Sequence, residues 1–277
     1  MKNFFIVIAC CLLIACSGSG GGGGDGTKAG TATFSITDSK PVLPDGVINV
    51  FVTIDEVSVH KDGGDWVILP LKETPFTVDL LAYSNGETAE LVPPVKLDPG
   101  TYTQLRLSVK EASLRVLNPD QTTEDFPIDV PSGSLKTDQP FDVLLDSKGY
   151  IDVVIDFDLS QSLVVTGGKP PTYKLKPVLH IVKVNDAVIF EGLILNTLFV
   201  EGISPVVTVY DKDGVIYSQV VVELELAPEI DSQWQVFWIV PDQNYKVEID
   251  YNGDKVADFT KDVLAETIPP GTTLLIE

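Results

Sequence analysis

The sequence has 277 residues, and its 40 acidic and 19 basic side chains give a formal net charge of −21 at pH 7. A net charge of this sign repels nucleic acids and anionic lipid surfaces, which excludes both as direct partners of the folded chain. The three cysteines, Cys10, Cys11 and Cys16, all lie close to the N-terminus, so no disulfide is predicted for the rest of the chain.

The first sixteen residues have the pattern of an export signal. Lys2 precedes an apolar run from Phe4 to Ala15, and this run is too short for a membrane-spanning helix, which needs roughly 20 residues. The run ends in Leu-Ile-Ala followed by Cys16, which resembles the lipobox of bacterial lipoprotein signals. The resemblance implies a signal peptide over residues 1–15, lipidation of Cys16 after cleavage, and a membrane partner that is reached through this lipid anchor.

Residues 16–30 are predicted to form a flexible tether, because they are rich in glycine and offer little side chain for burial. Ser17 stands directly after Cys16. In Gram-negative lipoproteins an aspartate at that position tends to retain the protein in the inner membrane, so Ser17 favours the outer membrane by analogy. The expected location is therefore the cell envelope, with a lipid anchor in the outer membrane.

A first β-rich segment is predicted over residues 31–184. In its clearest strand, over residues 150–159, apolar side chains alternate with Asp152, Asp156 and Asp158. A helix would scatter both sets, whereas a strand places them on opposite faces. We expect the aspartates to meet water or the next strand, and Asp158 also to cap a short helix.

The next strand is predicted over residues 173–184, where Lys174, Lys176 and His180 share one face. If this strand pairs with the preceding one, the two lysines become cross-strand partners of the aspartates. A solvated, charge-paired face is the expected result.

Seven blocks of this segment resemble, in order, a family of bacterial lipoproteins that is defined by a domain of unknown function. The blocks are GTATFSITDS (30–39), VFVTIDEVSVH (50–60), FTVDLLAYSNGETAEL (76–91), LDPGTYTQLRLSV (97–109), VPSG (130–133), IDFDLSQSLV (155–164) and YKLKPVLHIV (173–182). His180 departs from the pattern, which more often has an arginine there. The resemblance implies an exported, all-β, lipid-anchored domain without an assigned activity or catalytic residues.

A second β-rich segment is predicted over residues 185–277. An Asp-Gly turn indicates a hairpin over residues 206–217, and Asn252-Gly253 indicates a type I′ turn between two further strands. The segment resembles the small transthyretin-like or carboxypeptidase-regulatory-like β-sandwich, although the usual Pro-Gly before Tyr245 is absent. The predicted fold class is all-β, with two consecutive antiparallel β-sandwich domains after the signal and the tether.

The sequence predicts no catalytic residue, no cofactor and hence no enzyme. The β-rich segments contain no cysteine and no G-x-S-x-G motif, and neither His60 nor His180 has a second ligand at a metal-binding spacing. One alternative stays open. Asp152, Asp156 and Asp158 share a strand face, so a carbohydrate-binding or carbohydrate-active protein could use these carboxylates.

Calcium is the metal for which the sequence offers some support. Asp250, Asn252, Asp254 and Asp258 follow the oxygen-ligand spacing of calcium loops. The sixth position of the loop lacks the required glycine, and the twelfth lacks the bidentate glutamate. The predicted Asn-Gly turn accounts for the same residues without a metal, so no metal site is predicted.

Large aromatic side chains are concentrated over residues 234–239. Trp234 and Trp238 share one face of the predicted strand, and Phe237 and Ile239 share the other. Two apolar faces predict a buried central strand, with an exposed platform for sugar rings as the alternative. Taken together, the sequence predicts a lipid-anchored, non-enzymatic binding or structural module whose partner is an envelope polysaccharide or protein.

Overall fold

The structure is a computed structural model that describes residues 30–39, 41–137, 141–143, 149–168, 171–176, 178–198, 200, 202–223 and 231–277. The predicted signal peptide, Cys16 and all but the last residue of the tether lie outside these ranges. In the described part of the chain, no helix is long and apolar enough to cross a membrane. Strands and turns make up nearly all of the described residues, which confirms the predicted all-β fold class.

Strands β1 to β13 form the first part of the fold, which we call the N-terminal unit (described residues between 30 and 183). They are β1 (Gly30–Thr37), β2 (Val47–Lys61), β3 (Trp66–Leu69), β4 (Phe76–Asp79), β5 (Ala89–Leu97), β6 (Gly100–Leu117), β7 (Thr123–Asp129), β8 (Ser134–Thr137), β9 (Phe141–Val143), β10 (Tyr150–Phe157), β11 (Leu163–Thr166), β12 (Thr172–Leu175) and β13 (Leu179–Lys183). A 3-10 turn covers Leu80–Ala82, and the short helix α1 covers Leu159–Ser162.

Two sheets enclose the hydrophobic core of the N-terminal unit. The first sheet has the strand order β13-β10-β1-β5, and the second has the order β11-β12-β7-β6-β2-β3, with β4 paired to β2 and with β8 and β9 paired to β6. Alternate side chains of each sheet point inward. Phe34, Ile155 and Phe157 from the first sheet therefore share one core with Ile54 and Leu107 from the second. Burying each of these side chains stabilises the fold by roughly 1.5–3 kcal/mol.

Strands β14 to β20 form the C-terminal unit (described residues between 188 and 276). They are β14 (Val188–Ile194), β15 (Val206–Tyr210), β16 (Ile216–Val221), β17 (Ser232–Ile239), β18 (Tyr245–Asp250), β19 (Phe259–Val263) and β20 (Thr273–Leu275), with 3-10 turns at Asn196–Leu198 and Ala265–Thr267. The third sheet has the order β17-β14-β20, and the fourth has the order β16-β15-β18-β19. Their inner faces form a separate core in which Phe190, Val236 and Val247 are completely buried.

Three strand pairs are parallel, which the prediction of antiparallel sandwiches did not include. These pairs are β1 with β10, β7 with β12, and β14 with β20. Parallel neighbours need a long connection, and residues 38–149 separate β1 from β10, so local periodicity could not reveal the pairing. Among the described strands, none of the N-terminal unit pairs with one of the C-terminal unit.

The single strand predicted over residues 173–184 is two strands in different sheets. β12 pairs with β11 and β7, whereas β13 pairs with β10. Pro177 lies between them in the sequence, and a proline has no N–H for the ladder of a continuous strand. Lys174 is therefore paired with Val164, and its amino group lies 4.0 Å from the Asp129 carboxylate rather than beside β10.

The tight hairpin predicted at Asn252-Gly253 is also wrong. Ile249 of β18 is paired with Phe259 of β19, so the connection is a wide loop over residues 251–258. The hairpin predicted around the Asp-Gly turn is confirmed, because β15 and β16 are antiparallel neighbours, and Gly214 in their turn has a φ of 74°.

Candidate functional sites

The most unusual polar feature of the structure is a group of three buried aspartates, Asp38, Asp156 and Asp158, which we call the carboxyl cluster. Each of these residues is only 1 % exposed. Asp38 directly follows β1, Asp156 lies in β10, and Asp158 directly precedes α1. Because β1 and β10 are parallel neighbours with Thr37 paired to Asp156, their ends bring the three carboxyl groups to the same end of the first sheet.

Two oxygens of the carboxyl cluster accept hydrogen bonds from the backbone of α1. Asp38 Oδ1 accepts from the N–H of Leu159 at 3.1 Å. Asp158 Oδ1 accepts from the N–H of Gln161 at 3.1 Å, which confirms Asp158 as the predicted helix cap. Asp38 Oδ2, Asp158 Oδ2 and both oxygens of Asp156 are buried and have no hydrogen-bond partner among the described residues. None of the ion pairs formed by described residues includes these carboxylates.

Burial raises the pKa of all three carboxyl groups. It raises the pKa of Asp158 to about 7, although the backbone N–H groups of Gln161 and Ser160 act in the opposite direction. Burial and then the charge of Asp158 raise the pKa of Asp156 well above its ordinary value. Burial and then the charge of Asp156 do the same to the pKa of Asp38. A buried carboxylate without a counter-charge is so costly that the group takes up a proton instead.

The prediction that Asp156 and Asp158 meet water or lysines is wrong. Asp152 is half-buried and accepts a hydrogen bond from the Tyr150 hydroxyl at 2.8 Å. Farther along the same face of the first sheet, at His180, the C-terminal unit contacts the sheet. The sequence did contain a signal for this cover. Val154 lies between the aspartates on the same face, and an apolar residue there, 2 % exposed, indicates a buried surface.

His180 and Tyr217 join the two units beside the carboxyl cluster. His180 of β13 is paired with Asp156. Its ring stacks on that of Tyr217 with 4.1 Å between the centroids, and its Nε2–H donates to the Tyr217 carbonyl at 3.1 Å. Burial lowers the pKa of His180 to about 4, so the ring is neutral. Nearby, the Ser218 hydroxyl donates to the Ser39 hydroxyl at 2.9 Å.

Gly86 and Phe237 form a second contact between the units. Gly86 has a φ of 87°, in the left-handed region that favours glycine. A Cβ at this position would lie 2.7 Å from the Phe237 ring. Only a glycine therefore allows the ring of the C-terminal unit to approach the N-terminal backbone this closely.

The carboxyl cluster does not have the geometry of a hydrolytic pair. A general acid or base must come within hydrogen-bond distance of the substrate, and side chains with 1 % exposure cannot do so in this conformation. The carboxyl groups of the cluster therefore do not reach a substrate in this conformation.

The four residues weighed as calcium ligands lie in or beside the wide loop of residues 251–258. The Asp250 carboxylate accepts hydrogen bonds from the N–H groups of Asn252, Gly253 and Lys255 at 3.1, 2.7 and 2.8 Å. These bonds hold Lys255 at a φ of 66°, a conformation that non-glycine residues seldom adopt. The carboxylate thereby determines the path of the loop.

The other two aspartates of this loop also accept hydrogen bonds. Asp258 accepts from the Tyr251 N–H at 2.7 Å and from the Asn252 side-chain amide at 3.3 Å, and Asp254 accepts from the Val256 N–H at 2.8 Å. Across the described ranges, no group of three or more His, Cys, Asp or Glu side chains is arranged to hold a metal ion.

The aromatic residues of β17 lie neither in a central strand nor on a platform. β17 is the edge strand of the third sheet. Trp234 is 4 % exposed and lies over Gly192 of β14, where a Cβ would be 2.7 Å from the indole ring. Trp238 has a φ of 62°, and the ladder shifts register there, so Ile239 joins Val236 in the core.

A cavity of about 410 Å³ lies on the outer face of the fourth sheet. Thr208, Tyr210, Gln219 and Glu248 of three adjacent strands line it, and Lys255 of the wide loop borders it. The Gln219 amide donates to the Thr208 hydroxyl at 2.9 Å. No sequence motif predicted this site, although polar side chains alternating with buried valines along β15 and β18 were a signal for it.

Residues 29–177 match the model of a family described as a domain of unknown function, DUF4382. The match covers six of the seven blocks and the first half of the last one, and it confirms that part of the predicted resemblance. None of the curated proteins matches this chain.

Several solved structures are similar to this chain at low identity. The Bacillus anthracis TIE protein is 11 % identical with a TM-score of 0.22, and the alignment covers 88 % of this chain but 33 % of that one, so this chain spans about a third of its length. The fimbrial anchor protein Mfa2 from Porphyromonas gingivalis is 7 % identical with a TM-score of 0.22, covering 88 % and 90 %. The pilus adhesin SpaC from Lactobacillus rhamnosus GG is 10 % identical with a TM-score of 0.22, covering 89 % and 43 %. TM-scores this low carry no conclusion about function.

Proposed function

We propose that this chain, which belongs to the family of DUF4382 domains, is a lipid-anchored protein of the cell envelope that acts as a non-enzymatic structural or binding module. In this proposal residues 1–15 are a signal peptide, Cys16 carries the lipid, and residues 16–30 are a tether. Residues 31–184 and 185–277 are two β-sandwich domains that the tether holds at the outer membrane.

The observation that carries this proposal is the Leu-Ile-Ala-Cys16 sequence at the end of a short apolar run. An apolar run of this length followed by small residues is typical of a cleaved export signal. The carboxyl cluster supports the non-enzymatic part of the proposal, because these titratable side chains are sealed at the junction.

The anchor is tested by replacing its attachment point. In cells, Cys16→Ala should move the protein from the membrane fraction to the soluble fraction and abolish incorporation of labelled fatty acid. Cys11→Ala is the matched control, because it changes a cysteine within the predicted signal and should leave both readouts unchanged. A Cys16→Ala protein that still resists extraction from membranes by high salt would contradict the proposal.

A second candidate function is suggested by the cavity on the fourth sheet. Its volume of about 410 Å³ is in the range of small-ligand sites. Tyr210 offers part of an aromatic ring, and Gln219 and Glu248 offer amide and carboxylate groups. Aromatic and hydrogen-bonding groups together suit a short oligosaccharide.

Binding of envelope oligosaccharides to the full chain tests this candidate. Gln219→Ala should weaken binding by about tenfold if its amide contributes a hydrogen bond worth about 1.4 kcal/mol. Gln235→Ala on the third sheet, outside this cavity, should have no effect. Equal losses with both variants would contradict binding in the cavity.

A further inference from the structure

The buried carboxyl cluster is placed at the junction of the two units. Asp156 of β10 lies opposite His180 of β13 in the strand register, and the His180 ring stacks on that of Tyr217 of the C-terminal unit. Val154 and Val182 are paired on the same face of the first sheet and are each 2 % exposed. They belong to neither hydrophobic core and lie on the face of the first sheet from which His180 stacks on Tyr217 of the C-terminal unit.

The unpartnered oxygens of the cluster impose a condition on this junction. Within the described part of the chain, four carboxylate oxygens have no hydrogen-bond partner, and both oxygens of Asp156 are among them. Three negative charges that are buried together repel one another and lose their hydration, which costs several kcal/mol per charge. Protons remove the charge and also supply O–H donors, so neutral carboxyl groups can satisfy one another.

A proton suits this cluster better than a metal ion does. Across the described residues, these carboxylates are not in an arrangement that would hold a metal, and no described lysine or arginine forms an ion pair with them. We propose that the carboxyl cluster is a proton-dependent latch: the two units stay joined while Asp38, Asp156 and Asp158 carry protons, and they separate at this junction as these groups ionise. Separation exposes Val154 and Val182.

The titratable groups at the junction determine the direction of the pH dependence. They are Asp38 after β1, Asp156 in β10, Asp158 before α1, His180 in β13, Asp211 after β15, Tyr217 in β16 and Tyr245 in β18. The raised pKa values of the three aspartates make the joined state most stable at low pH, and that stability is lost as pH rises through about 7 and above.

The other groups at the junction do not reverse this trend. The lowered pKa of His180 acts in the opposite direction, but only between about pH 4 and pH 6.5. The nearby charge of Asp211 slightly counteracts the lowering of the His180 pKa. Burial raises the pKa of Tyr245 to about 12 and that of Tyr217 well above its ordinary value, so both stay neutral up to pH 9.

The first test compares melting temperatures of the full chain in mild detergent at pH 5, 7 and 9. The wild type should lose about 5–10 °C between pH 5 and pH 9, since each lost kcal/mol lowers the melting temperature by about 2–4 °C in chains of this size. Asp156→Asn should lose less than the wild type does and should melt above it at pH 9, although Asp158 still ionises in this variant. Asp152→Asn, on the same strand and face but half-buried and hydrogen-bonded, should follow the wild type. If Asp156→Asn follows the wild type instead, the proposal is wrong.

The second test reports on the junction itself. The chain has two histidines, so His180 can be followed by NMR of its ring protons, with His60 as an internal reference. At pH 5 the His180 signals should be shifted by the stacked Tyr217 ring, and at pH 9 the wild type should lose that shift while Asp156→Asn keeps it. A wild type that keeps the shift at pH 9 would show that the junction does not open, and would overturn the latch.

A second variant and a chelator control complete these tests. Asp158→Asn serves as a second variant if Asp156→Asn does not fold, because asparagine keeps the acceptor for the Gln161 N–H, and the same change in pH profile is expected. Each melt is repeated with EDTA at constant pH. An unchanged melting temperature supports the proposal that protons neutralise the cluster. A lower melting temperature in EDTA would show that a bound cation does so and would overturn the proposal.

Discussion

The carboxyl cluster at the junction and the wide loop at residues 251–258 are both rich in aspartate, yet their carboxylates have opposite environments. In the cluster, four oxygens are buried without a hydrogen-bond partner from the residues that the structure describes. In the loop, the Asp250 carboxylate accepts hydrogen bonds from three backbone N–H groups, and Asp250 is only half-buried. The cluster and the loop contain a similar number of aspartates, but only in the loop do enough backbone N–H groups donate hydrogen bonds to the carboxylates.

This difference shows that an aspartate-rich segment has no fixed chemistry of its own. Backbone N–H groups stabilise a carboxylate in its charged form, and in the loop that charge organises the chain. Burial without donors favours the neutral form, and in the cluster a proton takes the place of a partner. Four predictions distinguish these two situations, in order of decreasing effect.

The largest effect is expected for Asp158→Asn as a function of pH. The pKa of Asp158 is raised from 3.8 to about 7, so the folded state holds a proton that the unfolded state releases above about pH 4. The stability from this group is complete below about pH 4 and is lost as pH rises to about 7, by roughly 4 kcal/mol for a shift of about three pH units. In urea unfolding at pH 4, 6 and 8, the free energy of unfolding of the variant should therefore increase relative to that of the wild type as pH rises. A constant difference across this range would contradict burial as the cause.

A smaller effect is expected for Asp250→Ala in the loop. The substitution leaves three backbone N–H groups without their acceptor, which should lower the free energy of unfolding by about 1–2 kcal/mol at pH 7. Asp250→Asn keeps one acceptor oxygen and should lose about half as much. The measurement is again urea unfolding, and an Asn variant as unstable as the Ala variant would argue against these hydrogen bonds.

Relief of backbone strain should give a still smaller effect at Lys255. Its φ of 66° is accessible to glycine without a steric cost, so Lys255→Gly should raise the free energy of unfolding by about 0.5 kcal/mol after the entropy of glycine is included. Lys255→Ala removes the same amine but keeps the strain, and no gain is expected from it. A gain from alanine equal to that from glycine would identify the lysine charge, rather than φ, as the cause.

Added calcium should have no measurable effect on the wide loop. The carboxylate oxygens of Asp250 and Asp258 already accept hydrogen bonds from within the loop, and a cation would have to displace these donors. The melting temperature of the full chain at pH 7 should be the same with millimolar Ca²⁺ as with EDTA. A rise that Asp250→Asn abolishes would show that the loop rearranges to bind the ion.

Much of the fold could be predicted where the signal was local. The alternation in β10, the Asp158 cap and the Asp-Gly hairpin each depend on residues that are close in sequence, and the structure confirms them. The error at Asn252-Gly253 has the same origin. A turn propensity is a local preference, and the hydrogen bonds that the Asp250 carboxylate accepts from the N–H groups of Asn252, Gly253 and Lys255 outweigh it.

The candidate sites were harder to predict, because they depend on contacts between distant residues. Asp38 and Asp156 approach one another only because β1 and β10 pair across residues 38–149. The face with Asp156 was expected to meet water, and only Val154 indicated otherwise. The lysines expected beside it belong to the region of β12, which pairs elsewhere.

The amino-acid sequence by itself determined the all-β class, the strand faces, the cap of α1 and the family resemblance, since these follow from period, propensity and short motifs. Only the tertiary structure decided which of the aspartate-bearing faces would lose its water. Alternation tells which side chains share a face of a strand, but burial depends on what packs against that face. Here a second core, built from residues 188–276, covers one end of the first sheet. The chemistry of Asp38, Asp156 and Asp158 follows from that contact, because a carboxyl group keeps its charge only where water, donors or cations surround it.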